Sequence, residues 1–292
     1  MGRDLAEAYP EAKRIFEDAD RVLGAPLSQL MWQGPEEELT RTHNAQPAIL
    51  VHSIAVQRVI ATKLPKVSFA AGHSLGEFSA YVAAGTLGFA DAVRSVRRRG
   101  ELMFRAGRER PGTMAAILGL DDKALERVCQ DASAQGGECV PANYNSPGQL
   151  VISGDVPTVH IAMELAKAAG AKRAIQLNVS GAFHSPLMSP AEAGLQAQLS
   201  DVALTAPKFP VVSNVNAKPI SDVVAARRLL IQQLTSPVRW TACMQTMLTG
   251  GVTEFIELGP GNVLTGLLRR IEKSANGRAL GTAAEVEEWL KH

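Results

Sequence analysis

Cysteine is scarce in this sequence, and its scarcity excludes two classes at once. The three present, Cys129, Cys139 and Cys243, are odd in number and lack metal-ligand spacing. They make neither a disulfide framework nor a zinc site, and a reducing cytoplasm is the expected compartment. As small apolar side chains they need no function. Charge of one sign is also missing: the formal net charge is +1 with the basic residues scattered, which argues against nucleic acid or a membrane surface as partner. The sharpest run, Arg97-Arg98-Arg99, is short. No apolar stretch is long enough to span a bilayer, and the opening MGRDLAEAYPEAKRIFEDAD lacks the apolar centre of a signal peptide. Neither repeats nor low-complexity tracts occur.

What is present suits a globular protein with a full-sized core, since 46% of the 292 residues are hydrophobic and 20% charged. The most informative stretch is VSFAAGHSLGEFSAYVAAG, from Val67 to Gly85. Val67 to Ala71 reads as a buried strand, Gly72-His73-Ser74-Leu75-Gly76 fits G-x-S-x-G, and Glu77 onward has helical composition. Strand, tight turn and helix together make a nucleophile elbow, with the small residues at 72 and 76 letting strand and helix pass closely. Ser74 is therefore the candidate nucleophile, against the alternative of an incidental serine in a glycine-rich turn.

Around this stretch the chain alternates helices and strands. Asp4 to Leu23 reads as one amphipathic helix, and Asn44-Ala45-Gln46-Pro47 opens a long helix through Lys63. Asp91 is placed to cap a helix to about Gly107. From Thr113 to Val179 the order becomes strand, helix, strand, strand, helix, strand, the ferredoxin-like pattern of an inserted small domain. Helices near 191–200, 221–233 and 238–249 follow, with strands at 211–214 and 253–257. Gly259-Pro260-Gly261-Asn262 then leads into a last helix, Val263 to Glu272. The fold class is α/β, mainly parallel, with active groups at the carboxyl ends of strands. The expected division is a large domain over 1–112 and 183–292 and a small one over 113–182.

A serine hydroxyl needs a base, and histidine is the expected type. Of six histidines, His292 is terminal, His43 and His160 lie in polar contexts, His52 sits on a helix, and His73 adjoins the nucleophile on a turn whose neighbours usually point apart. His184 lies in the loop NVSGAFHSPLM, where the inserted domain returns to the main one, a favoured place for a site. It is the chosen base. No aspartate announces itself as the orienting third group.

Several ordered motifs carry a resemblance: GHSLGE at 72–77, RGELM at 99–103, NYNSPGQLVISG at 143–154, AKRAIQLNVSGAFHSPLM at 171–188, SPVRW at 236–240 and GPGNVLTGL at 259–267. Over nearly its whole length the chain resembles the malonyl-CoA:acyl carrier protein transacylase family, acyltransferases of fatty-acid and polyketide synthesis. The resemblance implies an α/β-hydrolase-like large domain carrying a ferredoxin-like small one. It implies a malonyl-Ser74 intermediate formed with His184 as base, the backbone carbonyl of Gln233 on the other imidazole nitrogen, and the Leu75 N–H in the oxyanion hole. Arg99 matches the arginine that pairs with the substrate's free carboxylate, in a pocket lined by Gln46, Met103 and Phe183. A planar guanidinium suits that task, and would reject a neutral acetyl group that left it unpaired. Lys172 and Arg173 are candidate contacts for CoA phosphates or the acidic carrier, against the alternative of plain surface charge. No metal and no cofactor beyond malonyl-CoA as substrate is implied, and a cytoplasmic monomer is expected.

The sequence departs from the family at its start. Members begin with an apolar strand and a Gly-Gln-Gly loop whose glutamine N–H is a second oxyanion donor, whereas Met1-Gly2-Arg3-Asp4-Leu5 matches the helix that follows. Losing one such donor costs ~10² to 10³ in rate, so impaired activity and exposed sheet edges are expected. Three other readings stay open: a discrete polyketide acyltransferase, a serine hydrolase or thioesterase, and an impaired scaffold that binds carrier protein.

Overall fold

Pro10 divides what the periodicity reads as a single N-terminal helix. In the computed structural model, which describes residues 1–291, α1 (Arg3–Ala8) ends at Tyr9, whose extended backbone precedes Pro10 at the first position of α2 (Pro10–Leu23). The residue before a proline is driven out of the helical region, and proline itself starts a helix well. After α3 (Leu27–Gln33) and α4 (Glu36–Thr40), α5 (Thr42–Ile60) begins before Asn44 and contains Pro47. Proline has no N–H for the carbonyl four residues back. That carbonyl, on His43, accepts from Arg97 Nη1 at 3.2 Å instead.

The elbow strand is shorter than its apolar run: only β1 (Ala70–Ala71) is in a ladder. It leads through the turn into α6 (Gly76–Ala83) and then α7 (Phe89–Glu109). Gly88 rather than Asp91 holds the N-cap position of α7; Asp91 lies in the first turn and pairs with Arg94 at 2.9 Å. Buried Ala92, Val96, Arg99, Met103 and Ala106 recur every three or four residues, so Arg99 lies on the stripe that faces the core.

The next strands and helices are β2 (Gly112–Leu118), α8 (Asp122–Ser133), β3 (Cys139–Ser146), β4 (Gln149–Asp155), α9 (Val156–Ala168) and β5 (Arg173–Gln176). They form an antiparallel sheet in the order β3-β4-β2-β5. The segment has its own apolar cluster, with Ile117, Leu125, Leu150, Ile152 and Val159 all buried. Its strand β3 is joined to the rest of the chain by two backbone bonds, Tyr144 N–H to Val238 O at 2.9 Å and Val238 N–H to Ala142 O at 2.8 Å.

The remaining elements are α10 (Ser189–Ser200), β6 (Val211–Val212), β7 (Pro219–Ile220), α11 (Val223–Gln232), α12 (Trp240–Thr249), β8 (Glu254–Leu258), α13 (Val263–Ile271), β9 (Asn276–Leu280) and α14 (Ala283–Leu290). β1 runs parallel to β6, β6 antiparallel to β7, and β8 parallel to β9. The parallel ladders of this α/β fold are thus two short sheets, and the half-buried strands β1 and β8 each pair along one edge. The three cysteines are free and buried. Among the described residues, no helix is long and apolar enough to cross a membrane.

Candidate active site

The turn after β1 is shaped by steric exclusion. A Cβ on Gly72 would lie 1.9 Å from the carbonyl carbon and oxygen of Gly76, so only glycine lets the helix backbone pass there. Gly76 is different. A Cβ on it meets nothing within 4 Å, and the close passage rests on Gly72 alone. Ser74 is then forced to φ 51°, the left-handed region that costs a non-glycine residue on the order of 1 kcal/mol or more. Asn214, just past β6, holds it there: its Oδ1 accepts from the Ser74 N–H at 2.7 Å and its Nδ2 donates to the Gly72 carbonyl at 2.9 Å. The bonds closing the turn use the N–H groups of Gly76, Glu77 and Phe78, and that of Leu75 serves in none of them.

His184 meets this corner. It also has a positive φ, 57°, and its Nε2 lies 2.8 Å from Ser74 Oγ. Its Nδ1 lies 2.9 Å from the backbone oxygen of Gln233. A carbonyl only accepts, so Nδ1 carries the proton and Nε2 presents its lone pair to the serine hydroxyl. Burial, and secondly the charge of Arg99, pull the His184 pKa down to about 3, with the Gln233 carbonyl opposing. The imidazole is neutral, as a base must be. His73 points elsewhere, bonded to Asn145 at 2.8 Å with its ring 5.6 Å from that of Trp240.

Arg99 is 1% exposed, although Arg97 and Arg98 beside it pair with Glu101 at the surface. Its Nη1 donates to Gln46 Oε1 at 2.6 Å; its Nη2 donates to Gln233 Oε1 at 2.9 Å and to Ser74 Oγ at 3.1 Å. Burial lowers its pKa to about 10, which leaves the guanidinium charged at neutral pH. Gln46 Nε2 lies 3.4 Å from Met103 Sδ, which places Met103 behind the same pocket wall. Phe183 is half-buried and packs against the main core cluster and a smaller one with Met114 and Val151. Lys172 and Arg173 are exposed at the edge of the antiparallel sheet and bond to none of these residues. His292 lies outside the described residues.

Three groups escaped sequence reasoning. Asn214 braces the elbow from the turn after β6. The Gln233 side chain joins Arg99 to the rest of the site, donating from Nε2 to the Ser74 carbonyl at 3.0 Å. Glu77 is wholly buried, with its Oε2 accepting from Gln233 Nε2 at 2.7 Å and from the Asn214 N–H at 3.1 Å. Burial pushes Glu77 up to about 7 against those bonds. A lone carboxylate in an Ala- and aromatic-rich helix was the available signal.

An elbow serine bonded to an imidazole, with a backbone carbonyl on the far nitrogen, is the arrangement that a serine nucleophile in an α/β enzyme calls for. The family model described as acyl transferase domain matches residues 1–287, and the chain belongs to that family of acyltransferases. It is 46% identical to the malonyl CoA-acyl carrier protein transacylase of Bacillus subtilis (strain 168) over 287 residues, covering 98% of this chain and 90% of the relative. With the enzyme of that name from Escherichia coli (strain K12) it shares 45% over 292 residues, covering 100% and 94%. An acyl carrier protein S-malonyltransferase from Vibrio cholerae superposes with a TM-score of 0.95 at 45% identity, covering 99% of this chain and 94% of that one. A malonyl-transacylase solved in complex with its type II PKS acyl-carrier protein gives 0.96 at 44%, covering 100% and 94%.

Proposed function

We propose that this acyltransferase moves a malonyl group from malonyl-CoA to the phosphopantetheine thiol of an acyl carrier protein, through an ester on Ser74. The observation that carries the reading is a fully buried arginine bonded to the nucleophile's own oxygen. A hydrolase of neutral esters has no use for that charge, whereas an acyl group with a free carboxylate does. Bidentate pairing with a carboxylate replaces the amide and hydroxyl oxygens on Arg99 by a charged acceptor, and such bonds are about twice as strong as neutral ones.

His184 Nε2 takes the Ser74 proton as Oγ attacks the thioester carbon. The resulting oxyanion is held by backbone N–H groups, that of Leu75 among them. Collapse expels the CoA thiolate, which takes the proton from His184 and leaves malonyl-Ser74. The carrier thiol then gives its proton to His184, attacks the ester carbon and departs as malonyl thioester, with the proton returned to Ser74. That is a ping-pong sequence. Every group this chain contributes is a side chain or a backbone amide, so the reaction asks it to hold no metal or organic cofactor of its own. Gln46, Met103 and Phe183 shape the acyl pocket, and Lys172 and Arg173 serve as contacts for the acidic carrier or the CoA phosphates. The segment 113–182 acts as an inserted small domain, with 1–112 and 183–292 forming the large one. The setting is cytoplasmic fatty-acid synthesis.

Incubation with malonyl-CoA, followed by intact-mass and peptide analysis, tests the reading. A malonyl adduct on the Ser74 peptide that is discharged by a holo carrier protein is the expected result. Release of free malonate with no transfer to a carrier thiol would assign the site to hydrolysis, and no adduct at all would overturn catalysis by Ser74.

A further inference from the structure

We propose that Glu77 is a positioning residue for this reaction, its buried carboxylate setting both the amide that holds Arg99 and the backbone that holds Ser74. The inference rests on the reading of Arg99 as the partner of the acyl carboxylate. Glu77 touches none of the reacting atoms. It acts through two amides.

The first is that of Gln233. Glu77 Oε2 already accepts the Asn214 backbone N–H, and any proton on the carboxyl can sit on Oε1, so the group facing Oε2 at 2.7 Å must be the amide nitrogen. The same nitrogen faces the Ser74 carbonyl at 3.0 Å and Asn214 Oδ1 at 3.3 Å, both acceptors. Gln233 Oε1 is thereby turned to the opposite side, where it accepts from Arg99 Nη2 at 2.9 Å. A flipped amide would set its donors against the guanidinium and its oxygen against acceptors, two mismatches around a fully buried side chain. The second amide belongs to Asn214. Glu77 Oε2 accepts its backbone N–H at 3.1 Å, and its side chain in turn bonds the Ser74 N–H and the Gly72 carbonyl, the two sides of the elbow. One carboxylate oxygen thus fixes which face of Gln233 Arg99 meets and where the strained serine backbone stands.

The test compares Glu77→Met, which deletes the acceptor at similar size, with Glu77→Gln, whose amide oxygen can still accept both bonds. Two rates are measured at Ser74: acylation by malonyl-CoA, and labelling by a fluorophosphonate, which carries no carboxylate. In Glu77→Met, labelling is expected to fall ~3-fold or more through the elbow, and malonyl acylation ~10-fold further, mainly in KM, through Arg99. Glu77→Gln should recover most of both. Equal falls in the two rates, or no recovery with glutamine, would reduce Glu77 to a packing role and overturn the proposal. Should Glu77→Met fail to fold, Gln233→Met, which keeps the backbone carbonyl on His184, carries the decision: a selective loss of malonyl acylation supports the proposal and an unchanged ratio refutes it. If the unaltered chain takes no malonyl group, the functional reading fails separately, and the labelling series alone decides whether Glu77 positions Ser74.

Discussion

Replacing Arg99 by lysine keeps the charge and removes the fork, which isolates the geometry of the site from its electrostatics. Arg99 reaches Gln46 through Nη1 and Gln233 and Ser74 through Nη2, a spread no single ammonium can copy. Lysine would hold a bound carboxylate by one charge-assisted bond instead of two. Loss of one such bond is worth about 1.5–3 kcal/mol, or ~10- to 10²-fold in kcat/KM for malonyl-CoA. Acetyl-CoA offers no carboxylate, so its rate should change by less than ~3-fold, apart from any shift of Ser74 that both substrates would feel. The assay is the initial rate of Ser74 acylation by each thioester, followed by intact mass, with thermal unfolding measured alongside. A proportional fall for both thioesters would refute the argument, since it would mean that the guanidinium holds the site together without reading the acyl group.

The glycines of the elbow make a matched pair. Gly72→Ala drives a Cβ into the Gly76 backbone and should cost ~3 kcal/mol or more with loss of Ser74 labelling, whereas Gly76→Ala meets nothing and should be neutral or stabilise by up to ~1 kcal/mol, both read by chemical denaturation. Ser74→Ala removes the proposed nucleophile while leaving Arg99 two of its acceptors, so transfer should fall ~10⁴-fold or more with little change in melting temperature. Buried titratable groups make the stability depend on pH, with opposite signs for Glu77 and His52. Glu77 holds its proton to about 7 in the folded protein but to only about 4.5 when unfolded, so it lowers stability as pH rises between those values, by at most about 3 kcal/mol. His52, buried and pulled down to about 4, acts oppositely: stability is lost as pH falls from about 6.5 toward 4. Glu77→Gln deletes the first effect only, and its stability should therefore climb more steeply than the parent's from pH 4.5 to 7 in urea titrations. Parallel curves would mean that Glu77 titrates normally.

Much of the site was legible before any coordinates, because its chemistry is written in contiguous residues. The G-x-S-x-G turn announces Ser74 by local sterics, and the loop returning from the βαββαβ segment put His184 at a junction. Other features were within reach of a closer reading: Pro10 breaks the first helix by its own ring, and Arg99 shares a three-and-four spacing with Ala92, Val96, Met103 and Ala106. The two-residue strand β7 and the strand β9, whose Asn-Gly-Arg-Ala-Leu run has no alternating apolar pattern, give the sequence no period to show.

Local order along the chain determined the elbow, the antiparallel sheet and the candidates for nucleophile and base, since backbone strain, turn chemistry and apolar period act over a few residues. Only the tertiary structure decided that an arginine from α7, a glutamine at the end of α11 and an asparagine after β6 converge on that serine. Such polar partners leave no periodic trace in a sequence. Their meaning comes from burial: with water excluded, each donor must find an acceptor, and the packing of distant elements dictates which one it finds.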